Sequence, residues 1–272
     1  MKRLVFLIVT LLSVACVFAE EFTLRDAVLW QGKKGIGAVL PSVDGESYYQ
    51  LRGGDKVVKV SFKTGNEQVI FDSSTARDCN ISQWSGFEMA PDESKILLYT
   101  NYEAIYRHSF RADYYVYEIR HNKLTKLSEA GREEIATFSP DARMVAFVHD
   151  NNIYIKKLDY GIQVAVTTDG KKNNVINGVP DWVYQEELDL LNGMAWSPDN
   201  LTLSFIRWDE SNVKTYPLQM YHGACNPIKE NELYPGMYEY KYPKAGCDNS
   251  VVSVLSYDVE NRTVKSMNIP MT

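Results

Sequence analysis

The chain is 272 residues long, 45% hydrophobic and 24% charged. That is ordinary globular composition, and it excludes a disordered, collagenous or coiled-coil protein. The net charge of -6 argues against a nucleic-acid partner, because phosphate binding needs a basic surface. Aromatic residues make up 12%, 18 of them tyrosine, a bias towards strands.

The leader comes first. Lys2 and Arg3 form a short positive segment, Leu4 to Val17 is apolar apart from Thr10 and Ser13, and Val17-Phe18-Ala19 fits small-residue cleavage before Glu20. Charge, length and end are those of a secretory signal peptide over residues 1–19, so an exported, periplasmic or extracellular protein is expected. The apolar run is short of the roughly 20 residues a membrane-spanning helix needs. A lipoprotein signal with Cys16 as the lipidated residue is the other reading, although Ser13 stands where Leu is usual. Export permits disulfides. Of Cys79, Cys225 and Cys247, the last two flank one loop and could pair, leaving Cys79 free. No Cys-x-x-Cys or His/Cys cluster appears, so neither metal nor cofactor is expected. Residues 20–45, including Phe22 to Leu29, are expected to hold an N-terminal helix.

From residue 46 to 272 the sequence reads as repeats. Phe87-Glu-Met-Ala-Pro-Asp-Glu-Ser-Lys-Ile-Leu-Leu-Tyr99, Ala136-Thr-Phe-Ser-Pro-Asp-Ala-Arg-Met-Val-Ala-Phe-Val148 and Met194-Ala-Trp-Ser-Pro-Asp-Asn-Leu-Thr-Leu-Ser-Phe-Ile206 share one plan. Each has a strand end, a Ser/Ala-Pro-Asp turn and an apolar run. Proline sets φ for a tight turn and aspartate caps it, which predicts hairpins. Further strands are expected at Tyr114–Ile119, Lys123–Leu127, Asn152–Leu158 and Gln163–Thr168. An earlier copy is expected over Val57–Phe62 and Glu67–Phe71. Short strands in sets of about four, without amphipathic helices between them, predict an all-β partial propeller of about four blades. No strand closing the propeller is identifiable before Thr272, so the chain is expected to be a fragment.

One segment breaks the repeat: Asn177-Gly-Val-Pro-Asp-Trp-Val-Tyr-Gln-Glu-Glu-Leu188. Pro180-Asp181 is a helix start. Val183 or Tyr184, Leu188 and Leu191 would share one helical face, with Gln185, Glu186 and Glu187 turned away from it.

The stretch from about 47 to 210 resembles the N-terminal propeller of the dipeptidyl peptidase IV family of serine peptidases. The likeness is carried by Thr100-Asn-Tyr-Glu-Ala-Ile-Tyr-Arg-His-Ser-Phe110, by Asp181-Trp-Val-Tyr-Gln-Glu-Glu-Leu188 and, further on, by Tyr242-Pro-Lys-Ala-Gly246, which looks like the strand that follows. It implies an eight-bladed propeller joined to an α/β-hydrolase domain, and release of N-terminal dipeptides with Pro or Ala second. Glu186 and Glu187 would hold the substrate's α-ammonium, and Arg107 would bind the carbonyl of its first residue; His108 would be structural. An α-amine titrates near about pH 8, so it is charged at neutrality and suited to paired carboxylates. The implied partners are peptides with a free N-terminus, the missing C-terminal hydrolase domain, onto which residues 20–45 would pack, and a second copy of the chain.

The departures are plain. No Gly-x-Ser-x-Gly occurs, so no nucleophilic serine elbow is expected here, and the chain alone should be inactive. Residue 185 is Gln where some members carry a third Glu. The tyrosine- and proline-rich loop 215–240 has no expected role beyond packing at the propeller rim. Two other readings remain open: a non-catalytic periplasmic binding propeller, and a sibling that releases tripeptides or cleaves internally.

Overall fold

The computed structural model describes residues 23–29, 37–223 and 227–269. The expected signal sequence, Cys16 and Cys225 lie outside the described residues, while Cys79 and the exposed Cys247 are free thiols. The chain divides into two compact units, residues 1–39 and 40–272. In the first, helix α1 (Leu24–Leu29) occupies part of the stretch expected to be helical.

The second unit is a partial β-propeller of four antiparallel blades. Blade 1 comprises β1 (Leu40–Pro41), β2 (Ser47–Arg52), β3 (Lys56–Ser61) and β4 (Glu67–Asp72). Blade 2 comprises β5 (Gly86–Met89), β6 (Lys95–Ala104), β7 (Phe110–Glu118) and β8 (Lys123–Lys126). Blade 3 comprises β9 (Ala136–Phe138), β10 (Met144–His149), β11 (Asn152–Lys157) and β12 (Ile162–Ala165). Blade 4 has its first strand split into β13 (Val175–Asn177) and β14 (Met194–Trp196), both paired with β15 (Thr202–Asp209). Its sheet continues through β18 (Val251–Asp258) and β19 (Thr263–Ser266). Strands β16 (Thr215–Met220) and β17 (Gly236–Lys241) form a separate two-stranded hairpin between β15 and β18. The unit opens at Leu40, ahead of the boundary expected at 46, because the first blade turn already lies at residues 42–47.

The Ser-Pro-Asp turns work as their chemistry requires. Ser139 Oγ donates to Asp141 Oδ1 at 2.6 Å, and that oxygen also accepts the Arg143 N–H at 3.1 Å. Ser197 and Asp199 repeat the arrangement, with Asp199 Oδ1 accepting the Leu201 N–H at 3.0 Å. The residue after each aspartate lies at positive φ: Glu93 at 57°, Ala142 at 55° and Asn200 at 65°. Blade 1 has a fourth copy that lacks the proline. In Ser42-Val-Asp-Gly-Glu-Ser47, Asp44 Oδ1 accepts the Glu46 N–H at 2.8 Å and Gly45 takes φ 68°.

Hydrophobic cores lie between successive blades. Tyr49, Val57 and Phe71 of blade 1 pack with Ile96, Leu98 and Tyr117 of blade 2. Leu97, Tyr114 and Val116 of blade 2 pack with Val145 and Phe147 of blade 3. Ala146, Val148 and Ile153 of blade 3 pack with Leu203, Phe205 and Tyr257 of blade 4. A strand's side chains alternate between its faces, so β6 and β10 feed two cores at once. That is why Met144–Val148 is an unbroken apolar run with every residue buried.

Antiparallel pairing puts the Ser-Pro-Asp turns at one end of the blades. The connections β6–β7, β10–β11 and β15–β18 lie at the opposite end. The candidate site is built at that opposite end, from the β6–β7 connection and the loop between β13 and β14.

Candidate functional site

The segment carrying the two glutamates interrupts the first strand of blade 4. β13 pairs with Arg207–Asp209 and β14 with Leu203–Phe205 of the same strand, so residues 178–193 leave the sheet as a loop and return. Gly178 N–H bonds to Ile206 O, Gly193 N–H to Gly178 O, and Ile206 N–H to Gly193 O, which closes the neck. Gly178 sits at φ 77°. A Cβ on Gly193 would lie 2.6 Å from the Trp208 ring and 2.9 Å from Gly178 O, so the neck has no room for one.

Helix α2 (Trp182–Glu186) crowns this loop. Asp181 is its N-cap, as the Pro180-Asp181 pair predicts, and accepts the Tyr184 N–H at 3.0 Å. The expected faces of the helix are not observed. It ends at Glu186, and Asp189 reverses the chain at φ 53°, so Leu188 and Leu191 lie beyond it and are exposed. The inward contacts come from Tyr184, whose ring meets the buried Trp208 edge-on at 5.6 Å, and from Gln185. Gln185 is buried, not turned outward, because its Nε2 satisfies Pro180 O at 2.5 Å; its Oε1 has no hydrogen-bond partner.

Glu186 is drawn to the tip of the β6–β7 hairpin in blade 2. Its Oε1 accepts the Arg107 backbone N–H at 3.1 Å, and its Oε2 stands 3.7 Å from Arg107 Nε. The Glu186 side chain is 11% exposed and that of Arg107 69%. One carboxylate is therefore held in place while most of the guanidinium remains open to solvent. Such a partly exposed pair contributes little to stability, about 0–1 kcal/mol. Glu187, at the helix C-cap, is exposed beside it, and His108 is exposed at the same tip. The structure thus joins Arg107 to Glu186 and leaves the adjacent Glu187 carboxylate open.

The hairpin reaches this position because β6 and β7 are long. A register shift between Thr100 and Glu103, with Asn101 at φ 53°, bends it. Tyr102 stacks on Phe110 at 4.7 Å, and Glu103 pairs with Arg132 at 2.5 Å.

Beneath α2 and the hairpin tip lies a cavity of about 710 Å³, lined among others by Tyr106, Glu134, Asp181, Gln185, Glu210 and Tyr240. Burial pushes the Glu210 carboxyl up to about 7; the neighbouring Asp181 adds to the rise and Lys241 opposes it. Burial also raises Glu134, against the pull of Arg111, which bonds it at 3.0 Å. Glu210 and Glu134 were not singled out by sequence, Tyr106 entered only as part of the Thr100–Phe110 string, and Gln185 was expected to face outward. The usable signal was the polar Asp209-Glu210-Ser211 at the end of an apolar strand. Among the described residues no group of three or more His, Cys, Asp or Glu side chains is arranged to hold a metal ion.

Two other expectations are corrected. Tyr242–Gly246 is not a strand: β17 ends at Lys241, Pro243 has no N–H to pair, and Gly246 at φ 81° lies in a turn closed by Cys247 N–H to Lys244 O. Residues 215–240 are more than a rim loop, since they contain the β16–β17 hairpin.

The model of the dipeptidyl peptidase IV (DPP IV) N-terminal region matches residues 90–272. A probable dipeptidyl-aminopeptidase B of Emericella nidulans is 38% identical over 188 residues, covering 66% of this chain and 21% of that protein. A probable dipeptidyl-aminopeptidase B of Aspergillus niger is 38% identical over 197 residues, 70% of this chain and 21% of its own. The crystal structure of Porphyromonas gingivalis dipeptidyl peptidase 4 superposes with a TM-score of 0.85 at 41% identity, covering 93% of this chain and 36% of that one. A putative dipeptidyl aminopeptidase IV of Bacteroides ovatus shares the fold, with a TM-score of 0.55 at 19% identity over 83% of this chain and 29% of the other. The chain spans about a fifth of the length of the curated relatives it matches.

Proposed function

Since the chain belongs to the dipeptidyl peptidase IV family through its N-terminal region, we propose that it is the substrate-recognising propeller of an exported serine dipeptidyl peptidase. In this reading Glu186 and Glu187 bind the free α-ammonium of a peptide, and Arg107 binds the carbonyl of its first residue. The observation that carries it is the Glu186–Arg107 pair at the end of the blades, with Glu187 open beside it.

The chemistry follows from what each group has left to offer. Glu186 Oε1 is engaged by the Arg107 amide, which fixes the carboxylate but leaves Oε2 only loosely paired at 3.7 Å. An arriving ammonium makes charge-assisted hydrogen bonds to that oxygen and to Glu187. The Arg107 guanidinium then turns its free donors to the carbonyl one residue along. A peptide pinned at its amine presents a fixed peptide bond to a nucleophile, and that distance limits the product to a short N-terminal fragment. In this reading the nucleophile is supplied by an α/β-hydrolase domain, as the family resemblance implies; no Gly-x-Ser-x-Gly occurs in these 272 residues. Release of X-Pro or X-Ala dipeptides is the specific activity proposed.

The test is the product. The whole polypeptide that this gene encodes is incubated with a peptide beginning Ala-Pro, with its amine free or acetylated, and the fragments are weighed. Ala-Pro is expected from the free peptide alone. Release of a tripeptide, cleavage of both peptides alike, or no cleavage contradicts the proposal.

A further inference from the structure

Helix α2 has only five residues, too few to be stable on its own. Whatever places Glu186 and Glu187 must lie outside it. Part of the support is the neck and the Tyr184–Trp208 contact already described. The rest comes from the second insertion of blade 4, the stretch between β15 and β18.

Two contacts carry the connection. Ser250, the residue just before β18, donates its hydroxyl to Asp181 Oδ2, while Asp181 Oδ1 holds the Tyr184 N–H. One carboxylate thus bonds the helix N-terminus and the end of the second insertion together. The Trp182 ring lies 4.4 Å from that of Tyr242 and 6.5 Å from that of Tyr240. Tyr242 in turn meets Tyr216 at 5.5 Å, and Lys244 Nζ sits 5.2 Å over the Tyr216 ring. The aromatic group reaches from the helix to both strands of the β16–β17 hairpin. Lys241 Nζ, at the end of β17, bonds Val213 O at 2.7 Å and fastens the base of that hairpin.

We infer that the second insertion of blade 4 is the scaffold that positions the amine clamp, with Ser250 and Tyr242 as its positioning residues. Ser250 acts through Asp181 on the start of the helix, and Tyr242 acts through Trp182, the first residue of the helix. The Tyr242-Pro243-Lys244-Ala245-Gly246 string is the turn that brings the chain from the hairpin back to β18 with a tyrosine placed against Trp182. The inference rests on reading Glu186 and Glu187 as the clamp.

The experiment uses the full chain and two readouts. The first is amide hydrogen exchange at Tyr184, whose N–H bonds to Asp181, with Val145 and Phe147 as references in the blade core. The second is the preference for a free-amine Ala-Pro amide over its N-acetyl twin, measured by titration. Ser250→Ala and Tyr242→Leu should each speed Tyr184 exchange at least tenfold and leave Val145 and Phe147 unchanged. Each should reduce the free-amine preference at least threefold, and Ser250→Thr, which keeps the hydroxyl, should restore both. Glu186→Gln is run in parallel. If it abolishes the preference while Ser250→Ala and Tyr242→Leu leave both readouts at parent values, the scaffold inference is wrong and the clamp stands. If Glu186→Gln leaves the preference intact, the clamp reading fails; the Tyr184 exchange rates then still decide whether the insertion holds the helix. Equal acceleration at Tyr184, Val145 and Phe147 would mean general loosening and would also overturn the inference.

Discussion

Blades 3 and 4 follow the same four-strand plan and differ in what they add to it. Blade 3 goes from β9 to β10 through a bare Ser-Pro-Asp turn and from β10 to β11 through Asp150 and Asn151. Its strands are spent on packing: β10 is buried along nearly its whole length and feeds the cores on both sides. Blade 4 keeps the same turn but opens its first strand at Gly178 and Gly193 to release α2, and its β15–β18 connection to release the β16–β17 hairpin. What it adds is polar, aromatic and partly exposed. The repeat supplies rigidity and the departures from it supply chemistry, on the end of the blades away from the repeated turns. Function on loops held by a rigid frame is the general arrangement.

The largest effect should come from the frame. Phe147 is fully buried in blade 3, so Phe147→Ala should cost about 3–5 kcal/mol by denaturant unfolding, through lost transfer energy and a cavity. Because β10 couples two cores, the loss should appear in the global transition. A variant that melts only locally would show that the blades are less coupled than their cores suggest.

Next comes the buried acid beside the α2 cap. Glu210 has a folded-state carboxyl lifted to about 7 from 4.5, so between those values the folded state holds a proton that the unfolded state has released. Its stabilising effect is complete below the lower value and is lost as pH rises through the upper one. Raising pH from 5 to 8 should therefore cost the parent on the order of 2–3 kcal/mol through this group. Glu210→Gln should remove that part of the slope; Glu88, Glu134 and Glu133, raised in the same direction by burial, keep the remainder. An unchanged slope in Glu210→Gln would place the pH sensitivity elsewhere.

A smaller effect is expected at the neck. Gly193→Ala puts a methyl against Trp208 and Gly178 O, and should cost about 1–3 kcal/mol as overpacking. Circular dichroism and thermal melting should show the sheet retained. Loss of the whole fold would mean that the neck belongs to the frame and not to the departure from it.

The repeat was legible in the sequence because its turn is encoded locally. Proline, aspartate and the residue at positive φ lie within four positions, and their hydrogen bonds are made within the turn. The fourth copy at Ser42–Ser47 was missed because Val43 replaces the proline. Asp181 as a cap was legible for the same local reason. The faces of α2 were not, because reading Leu188 and Leu191 as helical assumes a helix that continues, and Asp189 stops it. That α2 is a loop out of a strand could not be read either: β13 and β14 become one strand only through their shared partner β15. Likewise the hairpin at 215–220 and 236–241 has Pro217 within a strand, which only an edge position tolerates, and neither strand has a buried face to produce alternation. Glu186, Glu187 and Arg107 were found by likeness to a family, since nothing in a bare Glu-Glu pair distinguishes it from a solvated turn.

The central claim is that the two carboxylates recognise a free amine, and the direct measurement is titration of the chain with an Ala-Pro amide, free and N-acetylated, in the parent, Glu186→Gln and Glu187→Gln. The parent should prefer the free amine. Each glutamine variant should lose about 2–5 kcal/mol of free-amine binding, as removal of one member of a confined charge pair does, while folding stability stays within about 0.5 kcal/mol of the parent for the exposed Glu187. Binding of the acetylated ligand should be weak throughout and unaffected. A parent that binds both ligands equally, or a glutamine variant that keeps the free-amine preference within about threefold, would contradict the claim and leave that carboxylate as an ordinary helix-end residue.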